Sequence, residues 1–126
     1  MKKIQLPIFI FCILLTAVSC VSTKGHKESS RNLSDRGINC EKQLFHFLMT
    51  ANPSADKKEV ARLAALYIEE ANAEGINSDC AFVQMCLETG FLRFGNLVTP
   101  KMHNYCGLGA IDAEHPGETF ATEQLG

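Results

Sequence analysis

Glu88 closes an apolar run, Ala81-Phe82-Val83-Gln84-Met85-Cys86-Leu87-Glu88, and Thr89-Gly90 ends it. A carboxylate at that place runs against the local electrostatics. A helix C-terminus carries partial negative charge and favours Lys or Arg over Glu. Apolar neighbours are expected to push the carboxyl pKa further up. A carboxyl group held protonated near neutral pH is what a general acid needs to cleave a glycosidic bond. Against this stands the plain reading, a solvated Glu that happens to end a helix. Gln84 lies one turn before Glu88, where its amide can hydrogen-bond the carboxyl or line a groove. A surface Gln is the rival.

The next chemistry-bearing stretch is His103-Asn104-Tyr105-Cys106-Gly107-Leu108-Gly109-Ala110. Asn104 offers an amide and Tyr105 a flat amphipathic ring, both suited to holding a sugar, although Tyr105 also suits simple packing. Gly107 allows close backbone approach to a ligand. Glu88-Thr89-Gly90 followed by Asn104-Tyr105-x-Gly107-Leu108-Gly109 resembles the glucosaminidase family of glycoside hydrolases, the mannosyl-glycoprotein endo-β-N-acetylglucosaminidase-like domains of the lysozyme-like superfamily. The resemblance runs from about Leu44 to the chain end. It is most specific over Gln84–Gly90 with Asn104–Ala110.

That resemblance implies a mainly α, lysozyme-like helical domain with a loop-rich substrate lobe. It implies cleavage of peptidoglycan glycan strands with Glu88 as general acid. Gln84, Asn104, Tyr105 and Gly107 become the substrate-binding candidates, with no cofactor and no metal. Family members continue into further helices beyond the stretch matched here. The domain is therefore expected to be incomplete at its C-terminus, and no residue stands out as the second catalytic group. Asp112, Glu114, Glu118 and Glu123 are the carboxylates of the C-terminal stretch.

Three helices must position these residues. Cys40–Thr50 carries Leu44, Phe45, Phe47 and Leu48, and Asn52-Pro53 ends it. Asp56-Lys57-Lys58-Glu59 has the form of a capping box. The helix it opens runs to Glu74, with Val60, Leu63, Ala64, Tyr67, Ile68 and Ala71 as its buried stripe. Gly75 suits the left-handed residue after a helix, with Ile76 as the following apolar contact. Asn77, Ser78 or Asp79 caps the third helix, which reaches Thr89. Phe82, Met85, Cys86 and Thr89 read as its core face, and Ala81, Gln84 and Glu88 as the face beside a cleft. Past Gly90 the pattern is loop-like, with Phe91 and Phe94 holding the loop to the helix.

The chain has 126 residues and a formal net charge of −2. Lys2-Lys3 and the apolar stretch Leu6–Val18 form a signal peptide, too short for a membrane span. Ala17-Val18-Ser19-Cys20 resembles a lipobox, which makes Cys20 the expected lipidation site. A plain secretory signal is the rival. The expected organisation is a signal over 1–19, a polar lipid-anchored tether over 20–37 and the partial catalytic domain over 38–126. The protein is thus expected to be exported and membrane-anchored in the cell envelope, or else periplasmic or secreted. Removing Lys2 and Lys3 from 12 basic residues leaves 10 against 14 acidic ones, a net −4. With no basic stripe, nucleic acid is excluded as a partner. The expected partners are peptidoglycan and, through Cys20, a lipid membrane.

Export makes disulfides possible. Cys80 and Cys86 point to different faces of one helix and cannot pair. Cys86 with Cys106 is the pairing to test, the alternative being two small buried hydrophobes. His103-x-x-Cys106 with Cys86 lacks the paired signature of a zinc site. A nucleophilic set of Cys86 or Cys106 with His103 and Asn104 would make the protein a peptidoglycan amidase. The remaining alternative is a non-catalytic peptidoglycan-binding lipoprotein fragment.

Overall fold

The computed structural model describes residues 28–126. The expected signal peptide and Cys20 lie outside the described residues. Three helices order the described chain: α1 (Glu41–Ala51), α2 (Lys57–Glu74) and α3 (Ser78–Glu88). A 3₁₀ turn over Pro100–Met102 follows in the loop region. Among the described residues there is no strand, only an isolated antiparallel bridge between Ala110 and Pro116. No helix among them is long and apolar enough to cross a membrane. The mainly helical expectation therefore holds at the level of fold class.

Helix boundaries follow from local chemistry. Asp56 caps α2 by accepting the backbone N–H groups of Lys58 and Glu59, at 2.9 and 2.8 Å. These are two of the donors a helix start leaves without intrahelical partners. Gly75 ends α2 in the left-handed conformation, φ 71°. The Ile76 N–H then reaches back to the Ala71 carbonyl at 2.8 Å, as in a Schellman closure. Asn77 supplies the cap of α3 and is fully buried.

At one end Asn39 bonds Asp79, and at the other Asn52 and Ala51 bond Phe91 and Arg93. Helices α1 and α3 therefore run in the same direction, and α2 returns between them. Their stripes meet in one core. Leu44 and Leu48 come from α1, Val60, Leu63 and Ala64 from α2, and Phe82, Met85 and Cys86 from α3. Tyr105 joins them from the loop. Tyr67 packs edge-on against Phe82, ring centroids 5.6 Å apart. Burying one such side chain contributes roughly 1.5–3 kcal/mol, so the three stripes together supply most of the driving force for this fold.

The stretch expected to be a loose tether to residue 37 is held against α3 from Ser29 onward. The Asp79 carboxylate accepts hydrogen bonds from Ser29 Oγ (2.8 Å), Ile38 N (3.0 Å), Asn39 N (3.2 Å) and Asn39 Nδ2 (2.8 Å). The Asn77 amide bonds the carbonyls of Ser30 and Asn32. A tether boundary at residue 37 is thus corrected over 29–37. Apart from Ser29 Oγ, the segment is held mainly by its backbone, which meets the Asp79 and Asn77 side chains of α3 and its cap.

Candidate functional site

Glu88 is the last residue of α3 and is exposed. The apolar neighbours expected to enclose it turn inward. Met85 and Cys86 are buried, whereas Leu87 beside it is 66% exposed. The Glu88 carboxyl therefore faces solvent at the rim of a pocket of about 240 Å³. Thr89, Phe94, Asn96, Leu97, Val98, Asn104, Tyr105, Cys106, Gly107 and Ala110 complete its lining.

The chain leaves Glu88 through a left-handed turn. Gly90, Phe91, Leu92 and Phe94 have φ of 58°, 59°, 59° and 49°. Left-handed backbone costs a non-glycine residue roughly 1–2 kcal/mol, so the turn persists only because its surroundings dictate it. Phe91 N–H bonds the Cys86 carbonyl at 2.6 Å, and Phe94 N–H bonds the Thr89 carbonyl at 2.9 Å. The buried Thr89 hydroxyl donates to the Met85 carbonyl (2.8 Å) and accepts from Leu92 N–H (3.0 Å). Asn52 Nδ2 donates to the Phe91 carbonyl at 2.8 Å, and Arg93 Nη2 to the Ala51 carbonyl at 2.6 Å. Phe91 packs on Phe47, ring centroids 5.9 Å apart. The turn aims Phe94 at Tyr105 and sends the loop back over the end of α3. Such concentrated backbone strain is common at functional sites.

The far wall is organised by Asn104, which is 1% exposed. Its Oδ1 accepts the Leu108 N–H at 2.9 Å. Its Nδ2 donates to the carbonyls of Leu108 (2.9 Å) and Glu118 (3.1 Å). The amide is thus committed to folding the loop rather than left open for a sugar. Tyr105 is also 1% exposed and packs in the core, so its ring forms a closed wall instead of a free stacking face. Its hydroxyl is buried with no hydrogen-bond partner. Burial drives the phenol pKa upward. Gly107, at φ 68°, lines the pocket with backbone, as its residue type suggests. Gln84 is exposed on α3 and does not line the pocket. Four of the five sequence candidates therefore meet in one place, and Gln84 stands apart.

Sequence reasoning did not find Thr89, Asn96, Leu97 or Val98 as pocket residues. Thr89 carried a signal, since it follows Glu88 directly. The other three lie in a loop without periodicity. Among the C-terminal carboxylates, Asp112 bonds His115 and Glu123 bonds Arg62. Glu118 is exposed, with its carboxylate beside Gly109 in the loop that Asn104 folds.

The four described cysteines are free thiols. Cys86 is fully buried, and burial pushes its thiol up to about 12. Cys106 is exposed in the pocket. A Cys86–Cys106 disulfide is therefore not present. The Cys-His-Asn set is not assembled either: His103 Nδ1 lies 3.1 Å from the Phe120 carbonyl, and His103 is not a pocket residue. No group of three or more His, Cys, Asp or Glu side chains able to hold a metal occurs among the described residues.

Comparison with known proteins adds one relative. A Borreliella burgdorferi protein described as uncharacterized is 37% identical over 89 residues, covering 71% of this chain and 44% of that protein. The chain thus spans less than half the length of the relative it matches. No family model and no solved structure matches the chain.

Proposed function

We propose that this protein is a peptidoglycan glycan-strand hydrolase of the endo-β-N-acetylglucosaminidase type, with Glu88 as general acid. One observation carries the reading. Glu88 and the Asn104–Gly107 loop, which together bear the resemblance, line the same pocket. In this reading the exposed carboxyl protonates the glycosidic oxygen as the bond to an oxocarbenium-like centre breaks. A sugar lying in the pocket would displace water from the carboxyl and strengthen that interaction. Gly107 and the backbone around it offer close approach. Asn104 and Tyr105 act at one remove, by fixing the loop. Glu118 is the second carboxylate to test, and its separation from Glu88 in the bound state would set retention or inversion. Export and a lipid anchor on Cys20 belong to the same reading and rest on residues 1–20.

The deciding experiment is digestion of intact cell walls followed by identification of the new ends. New reducing sugar ends support the proposal. New amino groups would mean an amidase, and retention without cleavage would mean a glycan-binding lipoprotein.

A further inference from the structure

Residues 118–124 cross the molecule as a strap. At its start the Glu118 N–H bonds the Leu108 carbonyl at 2.9 Å, and the Glu118 carbonyl accepts from Asn104 Nδ2. Two residues on, Phe120 N–H bonds the Met102 carbonyl at 2.9 Å, and its own carbonyl faces His103 Nδ1 at 3.1 Å. The strap thus brackets the residues on both sides of Asn104. It is then buckled to α2. Arg62 Nε and Nη2 donate to the two Glu123 carboxylate oxygens at 2.9 and 2.8 Å, and Gln124 Nε2 donates to Glu70 Oε1 at 2.6 Å. The Arg62–Glu123 pair is bidentate and joins residues 61 apart in sequence. Planar two-point pairing fixes geometry as well as charge.

We propose that Arg62 is a positioning residue for the Glu88 pocket: by clamping Glu123 it holds the strap, and through Glu118 and Phe120 the strap fixes the Asn104 loop. The assignment rests on the Glu88 pocket being the working site, but the contacts themselves do not. Arg62 does not itself line the pocket. Its charge and that of Glu123 reach Tyr105, but its hydrogen bonds go to the Glu123 carboxylate, so its hold on the loop runs through the strap. A half-exposed ion pair is worth little to global stability. Its influence should therefore appear locally, in how often the loop opens.

The test is amide hydrogen exchange on the full chain, resolved at Leu108 and Glu118, whose N–H groups bond Asn104 Oδ1 and the Leu108 carbonyl. It compares wild type, Arg62→Gln, Glu123→Gln and the double variant. Each single variant should speed exchange at both amides by about fivefold, the upper range for one exposed pair. The double variant should be no faster than either single one, because both remove the same contact. Amides of Leu44 and Leu48 in α1 serve as the control and should not change. Unchanged Leu108 and Glu118 amides would overturn the proposal. So would additive effects, or equal acceleration in α1, which would mean a general loss of stability. No glycan enters the measurement, so its outcome is separate from whether the protein cleaves peptidoglycan.

Discussion

Glu88 and Asn104 show two different ways in which a residue serves one pocket. Glu88 is exposed and projects from a helix end, whereas Asn104 is buried and spends its whole amide on the loop. Their substitutions should separate accordingly. Glu88→Gln should lower glycan cleavage by about 10²- to 10⁴-fold, the usual worth of a general acid. Thermal melting should stay within about 0.5 kcal/mol of wild type, as for most exposed sites. A folded Glu88→Gln protein that cleaves at the wild-type rate removes the assignment, and Glu118→Gln examined beside it asks whether a second carboxylate takes part. Gly117 is a residue-scale test of the loop. Its φ is +110°, and a Cβ there would lie 3.0 Å from the Leu108 carbonyl oxygen and 3.1 Å from Asn104 Nδ2. Gly117→Ala should therefore cost more than about 1 kcal/mol and loosen Asn104. Denaturant unfolding checks it, and a wild-type midpoint would show that the strap yields easily.

At the scale of elements, the helices were legible and the turn between them and the pocket was not. The expected spans 40–50, 56–74 and 78–89 became Glu41–Ala51, Lys57–Glu74 and Ser78–Glu88. Their apolar spacing and caps are local properties, and the structure keeps them. The capping tendencies of Asp and Asn at helix starts and of Gly at helix ends also held, at Asp56, Asn77 and Gly75. The left-handed run at Phe91, Leu92 and Phe94 goes against the preferences of those residue types. Thr89 braces it locally, but it is also held by Asn52 and the Ala51 carbonyl at the end of α1, about 40 residues away, which no local pattern announces. The burial of Asn104 escaped for the same reason, while for Tyr105 the packing alternative, open in the sequence, is the one the structure shows. A sugar-binding residue and a loop-folding residue look alike until their partners are known. The turn offers its own test. Thr89→Val keeps the shape but leaves Leu92 N–H and the Met85 carbonyl without the hydroxyl. That should cost about 1–3 kcal/mol, the penalty for a buried group left unpaired. Exchange at Leu92 should quicken with it. A stability change below about 0.5 kcal/mol would mean that the turn does not depend on Thr89.

At the scale of the whole molecule, carboxylates join segments far apart in sequence, and their titration should govern acid stability. Burial alone would raise the Asp79 pKa, but hydrogen bonds from Ile38, Ser29 and Asn39 outweigh it and leave it lowered. The hydrogen bond from Arg62 is the main cause lowering Glu123. The Glu59 backbone N–H is the main cause lowering Asp56. A carboxylate depressed in the folded state adds stability above its unfolded pKa, and that stability is lost as pH falls through the folded value. Glu59 acts with the opposite sign, since burial and then Glu123 raise it. Its contribution is full at low pH and lost as pH rises through its raised value. Asp112 is lowered too, first by the hydrogen bond from His115. Four lowered carboxylates oppose one raised one, so melting temperature should fall as pH drops below about 4. Asp79 should carry a visible share, because its carboxylate accepts four hydrogen bonds from residues 29–39. In Asp79→Asn the new NH₂ faces donors where an oxygen accepted. That variant should melt lower at neutral pH and show a flatter decline on acidification. Melting curves of both proteins from pH 7 downward measure this. Parallel profiles for wild type and Asp79→Asn would show that Asp79 does not couple acid stability to the anchoring of residues 29–39.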